Sequence, residues 1–133
     1  MKRREFIALG AALALSPLRA LAGEGWVNYT PGVVAELLAQ GDTVLLDYSA
    51  TWCSTCKAQE RAMETIRATN PAYSAAITFV RVDWDTYGRA AITTNLNIPR
   101  RSTLVLLKGD QELGRIVADT RRAQIQALMD RGL

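Results

Sequence analysis

The chain has 133 residues, which suits one small domain, with 16 lysine and arginine residues, 13 aspartate and glutamate residues and two cysteines. It contains no histidine, and this excludes Ser-His-Asp and Cys-His nucleophilic systems and the usual histidine-containing zinc sites. Chemistry in this protein must therefore depend on thiols, carboxylates or amines.

The N-terminal segment has the features of a signal peptide. Three basic residues at 2–4 precede an apolar stretch over 6–18, and Ala20-Leu21-Ala22 has the A-x-A form of a cleavage site. The apolar stretch is shorter than the roughly 20 residues needed to span a bilayer. We therefore expect a leader at 1–22 and no stable membrane insertion after its cleavage.

Most of the excess positive charge lies in this leader. RREFI at 3–7 resembles the twin-arginine export signal; the alternative is an ordinary secretory leader that carries two arginines. The remaining 111 residues hold 12 basic and 12 acidic side chains, so their net charge is near zero. This balance gives no support for nucleic-acid or anionic-membrane binding. We expect one periplasmic or otherwise exported domain at 23–133, acting as a monomer.

The first elements of this domain are a helix and a buried strand. A short extra strand is possible at 26–29, and Thr30-Pro31 followed by apolar positions predicts a short helix that Gly41 closes. The apolar run 43–49 is typical of a strand buried on both faces. It contains a single charge, Asp47.

A longer helix, a second strand and a short helix follow. Good helix formers predict a helix from Cys53 to about residue 70, where Pro71 stops it. The apolar segment 77–84 predicts a strand, and 86–96 a short helix.

The chain closes with a hairpin and a helix. Strands at 103–107 and 112–118 flank a turn at 108–110, and a helix is predicted from about Thr120. Strands that alternate with helices imply parallel pairing, and the hairpin adds an antiparallel edge. The predicted fold class is a mixed α/β sandwich.

Cys53 and Cys56 form a C-x-x-C pair where a strand meets a helix. A disulfide closing so small a loop stabilises little, so we interpret the pair as reactive rather than structural. A cysteine in the first helical turn faces unpaired N–H groups and the positive end of the helix dipole, and Lys57 adds a nearby positive charge. We expect Cys53 to be the nucleophile and Cys56, on the same helical face, to be the resolving thiol.

The segment LLDYSATWCSTCKAQE at 45–60, taken with the order of elements, resembles the thioredoxin family, especially the thioredoxin-like domains of periplasmic electron-transfer proteins. The resemblance implies a three-layer sandwich in which helices flank a mixed central sheet. It also implies that Asp47 is the buried carboxylate that accepts the proton of the resolving thiol. Burial would raise its pKa towards neutrality, which suits this role. The alternative is a partly exposed aspartate at a strand end with no role.

Further positions near the pair are assigned through the same resemblance. Trp52 corresponds to the aromatic residue that covers the disulfide, or else it is core packing. Arg81 looks like the basic residue that thioredoxins place near the buried carboxylate, or else it is a solvated arginine at a sheet edge.

The sequence departs from the family at Ser102-Thr103-Leu104. Thioredoxins have a cis-proline followed by Thr-Leu here, whereas the nearest proline in this chain, Pro99, lies three residues earlier. The Arg101–Ser102 bond is either trans, or cis at a cost of about 2.5–4 kcal/mol. Ser102 would be able to donate a hydrogen bond to a thiolate, and its presence implies altered substrate docking.

The resemblance implies a protein-disulfide oxidoreductase that exchanges disulfides with exported client proteins. A membrane electron carrier would re-reduce the pair, apocytochromes are one candidate client class, and no organic or metal cofactor is needed. Ser54 and Thr55 match neither the Gly-Pro of reducing thioredoxins nor the Pro-His of periplasmic oxidants, but the resemblance favours a reductase or isomerase. Two alternatives are soft-metal or cluster binding through Cys53 and Cys56 across a dimer, and an interaction module with an incidental disulfide.

Overall fold

The computed structural model describes residues 25–133, in which five strands form one mixed sheet of order β1-β3-β2-β4-β5. The predicted signal peptide at 1–22, with RREFI, lies outside the described residues. The strands β1 and β2 run parallel to β3, whereas β4 is antiparallel to both β2 and β5. The bounds are β1 (Trp26–Asn28), β2 (Thr43–Ser49), β3 (Ile77–Asp83), β4 (Thr103–Lys108) and β5 (Gln111–Val117). The predicted α/β class and the closing hairpin are confirmed.

Helices flank this sheet. Within residues 25–133, no helix has the length and apolar character required to cross a membrane. The bounds are α1 (Val33–Ala39), α2 (Ser54–Thr69), α3 (Ala72–Ala76), α4 (Trp84–Tyr87), α5 (Ala91–Thr94) and α6 (Arg122–Asp130).

Three helix boundaries differ from the sequence prediction. Gly32 adopts a φ of 93° before α1, so this helix begins after Pro31 rather than at it. The Asp83 carboxylate accepts a hydrogen bond from the Thr86 N–H at 3.1 Å, and this cap starts α4 where a longer strand was predicted. The single helix predicted at 86–96 was wrong, because α4 ends at Tyr87 with Gly88 as its C-cap, and the chain forms α5 separately.

The alternation of side chains along β2 explains the position of its one charge. Successive residues of a strand point to opposite faces, so Leu45 and Asp47 share one face while Leu46 and Tyr48 share the other. Leu45 belongs to the core beneath α2 and α6, and Leu46 and Tyr48 belong to the core beneath α1. Because β2 lies between β3 and β4, Asp47 is 0 % exposed. The central strand thus presents a carboxyl group to α2.

Candidate active site

The two cysteines occupy the start of α2. Cys53 is the N-cap residue, with extended backbone, and its Sγ accepts a hydrogen bond from the Cys56 N–H at 3.2 Å. That N–H is one of the groups that have no intrahelical partner at a helix N-terminus. Both residues are buried free thiols in this structure. The sequence-predicted junction of β2 and α2 therefore supplies a donor directly to the sulfur of Cys53.

Ser102 lies against both sulfurs. Its Oγ is 3.3 Å from the Sγ of Cys53 and 3.1 Å from the Sγ of Cys56. The peptide bond before it is trans, which decides between the two conformations left open by the sequence, and its φ is 67°. Its N–H donates to the Tyr48 carbonyl at 2.7 Å, and its carbonyl accepts from the Ala118 N–H at 2.8 Å. A proline could supply neither this N–H nor this φ, so the serine belongs to a different loop conformation.

The surroundings separate the acidities of the two thiols. Burial of Cys53 opposes ionisation, but hydrogen bonds from Cys56 and Ser102, with a further one from Arg101, lower its pKa to about 7. For Cys56, burial and its hydrogen bond to Cys53 raise the pKa. The same geometry thus favours Cys53 as the thiolate and keeps Cys56 protonated, as a nucleophile and a resolving thiol require.

Asp47 and Glu60 form a carboxyl pair beneath the cysteines. Burial raises the pKa of Asp47 well above its usual value, and Glu60 beside it raises it further through a hydrogen bond and like charge. Within residues 25–133, no N–H or O–H group donates to either oxygen of Asp47 in its ionised form. Burial also disfavours the Glu60 carboxylate, but hydrogen bonds from protonated Asp47 and Arg81, together with the charge of Arg81, lower its pKa. One proton on Asp47 therefore satisfies both groups.

Arg81 balances the charge of this pair. Its Nε donates to Glu60 Oε2 at 3.1 Å, and its guanidinium lies 4.5 Å from the Trp26 ring centroid. The alternative of a solvated arginine at a sheet edge does not apply, because β3 lies between β1 and β2. Glu60, Arg81 and Lys57 line a pocket of about 430 Å³, whereas Asp47 does not reach it. Glu60 therefore lies between Asp47 and solvent.

Two other sequence expectations concern Lys57 and Trp52. Lys57 is exposed and lines this pocket, and its effect on Cys53 stays a prediction, while Arg101 is a basic residue whose hydrogen bond lowers the pKa of Cys53. Trp52 is 57 % exposed and is not core packing. The aromatic residue that packs against Cys53 and Cys56 is Trp84.

Sequence reasoning missed four residues of this site: Gln59, Glu60, Trp84 and Arg101. Gln59 and Glu60 follow Cys56 at i+3 and i+4, so helical spacing alone would have placed them on its face. No local signal marks Trp84 or Arg101, because a tertiary approach of separate segments brings each to the cysteines. Thr103, which was expected near the site, is buried and donates through its hydroxyl to the Arg100 carbonyl at 2.7 Å.

Metal binding was one alternative for the cysteines. Across the part of the chain that the structure describes, no three or more His, Cys, Asp or Glu side chains form a group that could hold a metal ion. Metal binding across a dimer and the interaction module stay hypotheses.

Comparison with known proteins gives consistent results. The thioredoxin family profile matches residues 30–131. A thioredoxin of Mycobacterium bovis is 34 % identical over 96 residues, which are 71 % of this chain and 78 % of that protein. Thioredoxin H2-1 of rice (Oryza sativa) is 34 % identical over 74 residues, 56 % of this chain, and the match spans 49 % of the rice protein. The solved structure of Trxlp from Edwardsiella tarda superimposes with a TM-score of 0.65 at 30 % identity, covering 79 % of this chain and 95 % of that one.

Proposed function

Since this chain belongs to the thioredoxin family, a family of protein-disulfide oxidoreductases, we propose that it reduces or isomerises disulfides in exported client proteins. The observation that carries the proposal is the Cys53 thiol at the start of α2, with its pKa lowered to about 7 beside a more basic Cys56. The pair itself is the redox group.

The reaction needs two exchange steps. The Cys53 thiolate attacks one sulfur of the client disulfide, a Cys53–client S–S bond forms, and the other client sulfur leaves as a thiolate. Cys56 then loses its proton and attacks the Sγ of Cys53, which releases the second client thiolate and forms the Cys53–Cys56 disulfide. The client gains two electrons and the protein loses two. A membrane electron carrier, itself a dithiol, returns these electrons by the reverse exchange.

The carboxyl pair serves the second step. Asp47 faces the start of α2. It first releases its own proton through Glu60 to solvent, and its carboxylate then accepts the proton that Cys56 must lose. Its high pKa, caused first by burial, keeps this transfer possible near neutral pH. Glu60 passes the proton on to solvent in the pocket that it lines.

The acidity of Cys53 supports the reducing direction. In the strong periplasmic oxidants the nucleophile has a pKa of about 3.5, whereas in thioredoxin it is about 7. The value here lies with the second group. Export is supported by the signal-peptide features of residues 1–22, and apocytochromes are one class of client that such a compartment offers.

The reduction potential of the Cys53–Cys56 pair tests the direction. We expect a value near −270 mV by equilibration with glutathione or dithiothreitol, and a value near −120 mV would show an oxidant instead.

The roles of the two cysteines are tested by trapping client proteins. Cys56→Ser should accumulate mixed disulfides through Cys53 in an exported-protein fraction, whereas Cys53→Ser should not. If Cys53→Ser trapped clients efficiently and Cys56→Ser did not, Cys56 would be the nucleophile and Cys53 the resolving thiol.

A further inference from the structure

Two arginines lie in the loop that brings Ser102 to the cysteines, and one of them, Arg101, also lowers the pKa of Cys53 through a hydrogen bond. Arg100 and Arg101 precede Ser102 in the loop before β4, and both are half-buried. The Arg101 guanidinium lies 4.5 Å from the ring centroid of Trp52, and its Nε is buried without a hydrogen-bond partner. A guanidinium carries five donors and no acceptor, so a half-buried one without a carboxylate partner favours an anion.

Among the arginines of residues 25–133 that lack a carboxylate partner, Arg100 and Arg101 are the two that are half-buried, whereas Arg61, Arg89, Arg122 and Arg131 are exposed. Within residues 25–133, neither Arg100 nor Arg101 forms an ion pair. In the same region four arginines do so, each with a neighbouring carboxylate: Arg67, Arg81, Arg115 and Arg121. Holding a half-buried guanidinium without a counter-ion is unfavourable, so a site that does so is suited to a partner that brings one.

Local contacts hold this positive group in place. The Arg100 Nε donates to the Arg101 carbonyl at 2.8 Å, and its Nη2 lies 3.5 Å from the Ser102 hydroxyl. The indole N–H of Trp52 donates to Asp85 Oδ2 at 2.9 Å, which fixes the ring on which Arg101 rests. The Asp85 carboxylate is therefore already engaged by Trp52. A preorganised cation loses less freedom when a ligand binds.

We propose that Arg101, together with Arg100, forms a carboxylate-binding subsite that selects client proteins with aspartate or glutamate next to the target cysteine. The inference rests on the proposed disulfide exchange. A client sulfur must reach the Sγ of Cys53, and Arg101 both acts on this sulfur and rests on the exposed Trp52 ring, so residues flanking the client cysteine come close to this arginine. A flanking carboxylate accepts paired hydrogen bonds from the guanidinium. The charge balance of residues 23–133 is even, so the preference arises from this local pair and not from a global field.

The test uses matched peptide disulfides. Three synthetic dimers joined by one cysteine disulfide differ only in the two residues flanking that cysteine, which are Glu, Gln or Lys. The reduced protein is mixed with each dimer, and with the neutral 2-hydroxyethyl disulfide, and the second-order rate constant is measured by acid quenching and mass spectrometry. Each rate is then divided by the rate with the neutral disulfide, because Arg101 also affects the reactivity of Cys53 itself. Measurements at about 0.01 M and about 1 M salt separate screened from unscreened attraction.

We expect the wild-type protein to react about fivefold faster with the Glu dimer than with the Gln dimer, as one half-exposed ion pair would give, and slowest with the Lys dimer. Arg101→Gln should bring the Glu-to-Gln ratio close to one. Lys108→Gln removes one positive charge from the far end of β4 and should leave the ratio unchanged. High salt should reduce the wild-type preference.

Three results would overturn the inference. The first is a wild-type protein that reacts with the neutral disulfide but shows no preference for Glu. The second is an Arg101→Gln variant that keeps the preference. The third is a normalised rate with oxidised glutathione that equals the rate with the Glu dimer. This would show that the subsite binds small anionic disulfides and not the flanking residues of client chains. Failure to react with any disulfide, including the neutral one, would instead contradict the proposed oxidoreductase function.

Discussion

The hydroxyl of Ser102 contacts both redox sulfurs and is one of the groups that hold the pKa of Cys53 near 7. A hydrogen bond to a charged group contributes about 1.5–3 kcal/mol, and part of this is shared between the two sulfurs. We expect Ser102→Ala to raise the pKa of Cys53 by about one unit. The pH dependence of iodoacetamide alkylation of Cys53, read by mass spectrometry, measures this shift.

The control for this prediction is Ser54→Ala. Ser54 is exposed next to Cys53, and no hydrogen bond joins its hydroxyl to either sulfur. Its removal should leave the alkylation midpoint where the wild type has it. An unchanged midpoint in Ser102→Ala would show that the Ser102 hydroxyl does not contribute to the acidity of Cys53.

Glu60 acts on the other titrating group of the site. It raises the pKa of Asp47 through a hydrogen bond and like charge, after the larger effect of burial. We expect Glu60→Gln to lower the pKa of Asp47, because an amide donates to the carboxylate and brings no charge. Carboxyl ¹³C NMR titration of Asp47 measures it. Glu64→Gln, one turn further along α2 and half-exposed, is the matched control and should not move the Asp47 titration.

At the scale of elements, the loop before β4 is fastened to three other segments. The Ser102 N–H binds the end of β2, its carbonyl binds Ala118, and Gln59 of α2 donates to that same carbonyl at 2.9 Å. Gln59 is 0 % exposed and also donates to the Asp119 carbonyl at 3.2 Å. The helix that carries the cysteines is thus tied to both ends of the β4–β5 hairpin.

This attachment predicts how the loop tolerates the residue that thioredoxins have at this position. Proline fixes φ near −65° and has no N–H, whereas Ser102 has a φ of 67° and donates to Tyr48. We expect Ser102→Pro to lower the free energy of unfolding by about 2–3 kcal/mol in urea denaturation. Ser102→Gly, which keeps the N–H and accepts a positive φ, is the control and should be much less destabilised. Equal stability of the two variants would show that the loop adopts a second conformation at little cost.

The elements were largely predictable from the sequence, and their contacts only partly so. The buried strand at 43–49 was predicted with its observed bounds, because continuous apolar runs mark a strand covered on both faces. The break at Gly88 was not, because several weak helix formers in a row give no clear boundary. At the site, the C-x-x-C spacing of Cys53 and Cys56 can be read directly from the sequence. The contact of Arg101 with Cys53 cannot be read in this way, because the loop that carries Arg101 reaches Cys53 only when β4 pairs with β2.

At the scale of the whole molecule, the buried carboxyl group affects stability as well as catalysis. Asp47 has a folded-state pKa above its unfolded value of about 3.9, chiefly through burial, so between these two values the folded protein holds more protons than the unfolded chain. Stability from this group is therefore greatest below the unfolded pKa and falls as pH rises to the folded pKa. Above the folded-state pKa, each unit by which the folded pKa of Asp47 exceeds the unfolded one lowers the free energy of unfolding by about 1.4 kcal/mol. Glu60, whose pKa is lowered, contributes stability that is lost as the pH falls into the acid range. The effect of Asp47 on stability is therefore measured at neutral pH and above.

Asp47→Asn should remove this cost. The amide cannot ionise, and its N–H groups can donate to Glu60, so we expect a variant more stable than the wild type at about pH 8 and with a flatter pH dependence. Urea denaturation of the oxidised protein from about pH 6 to about pH 9 measures both, because no thiol titrates in that state. Asp85→Asn, an exposed aspartate near Trp52, is the control and should follow the wild-type curve. If Asp47→Asn followed it too, Asp47 would already be ionised without penalty in the folded state. It would then donate no hydrogen bond to Glu60, and the arrangement in which one proton on Asp47 serves both carboxyl groups would be wrong.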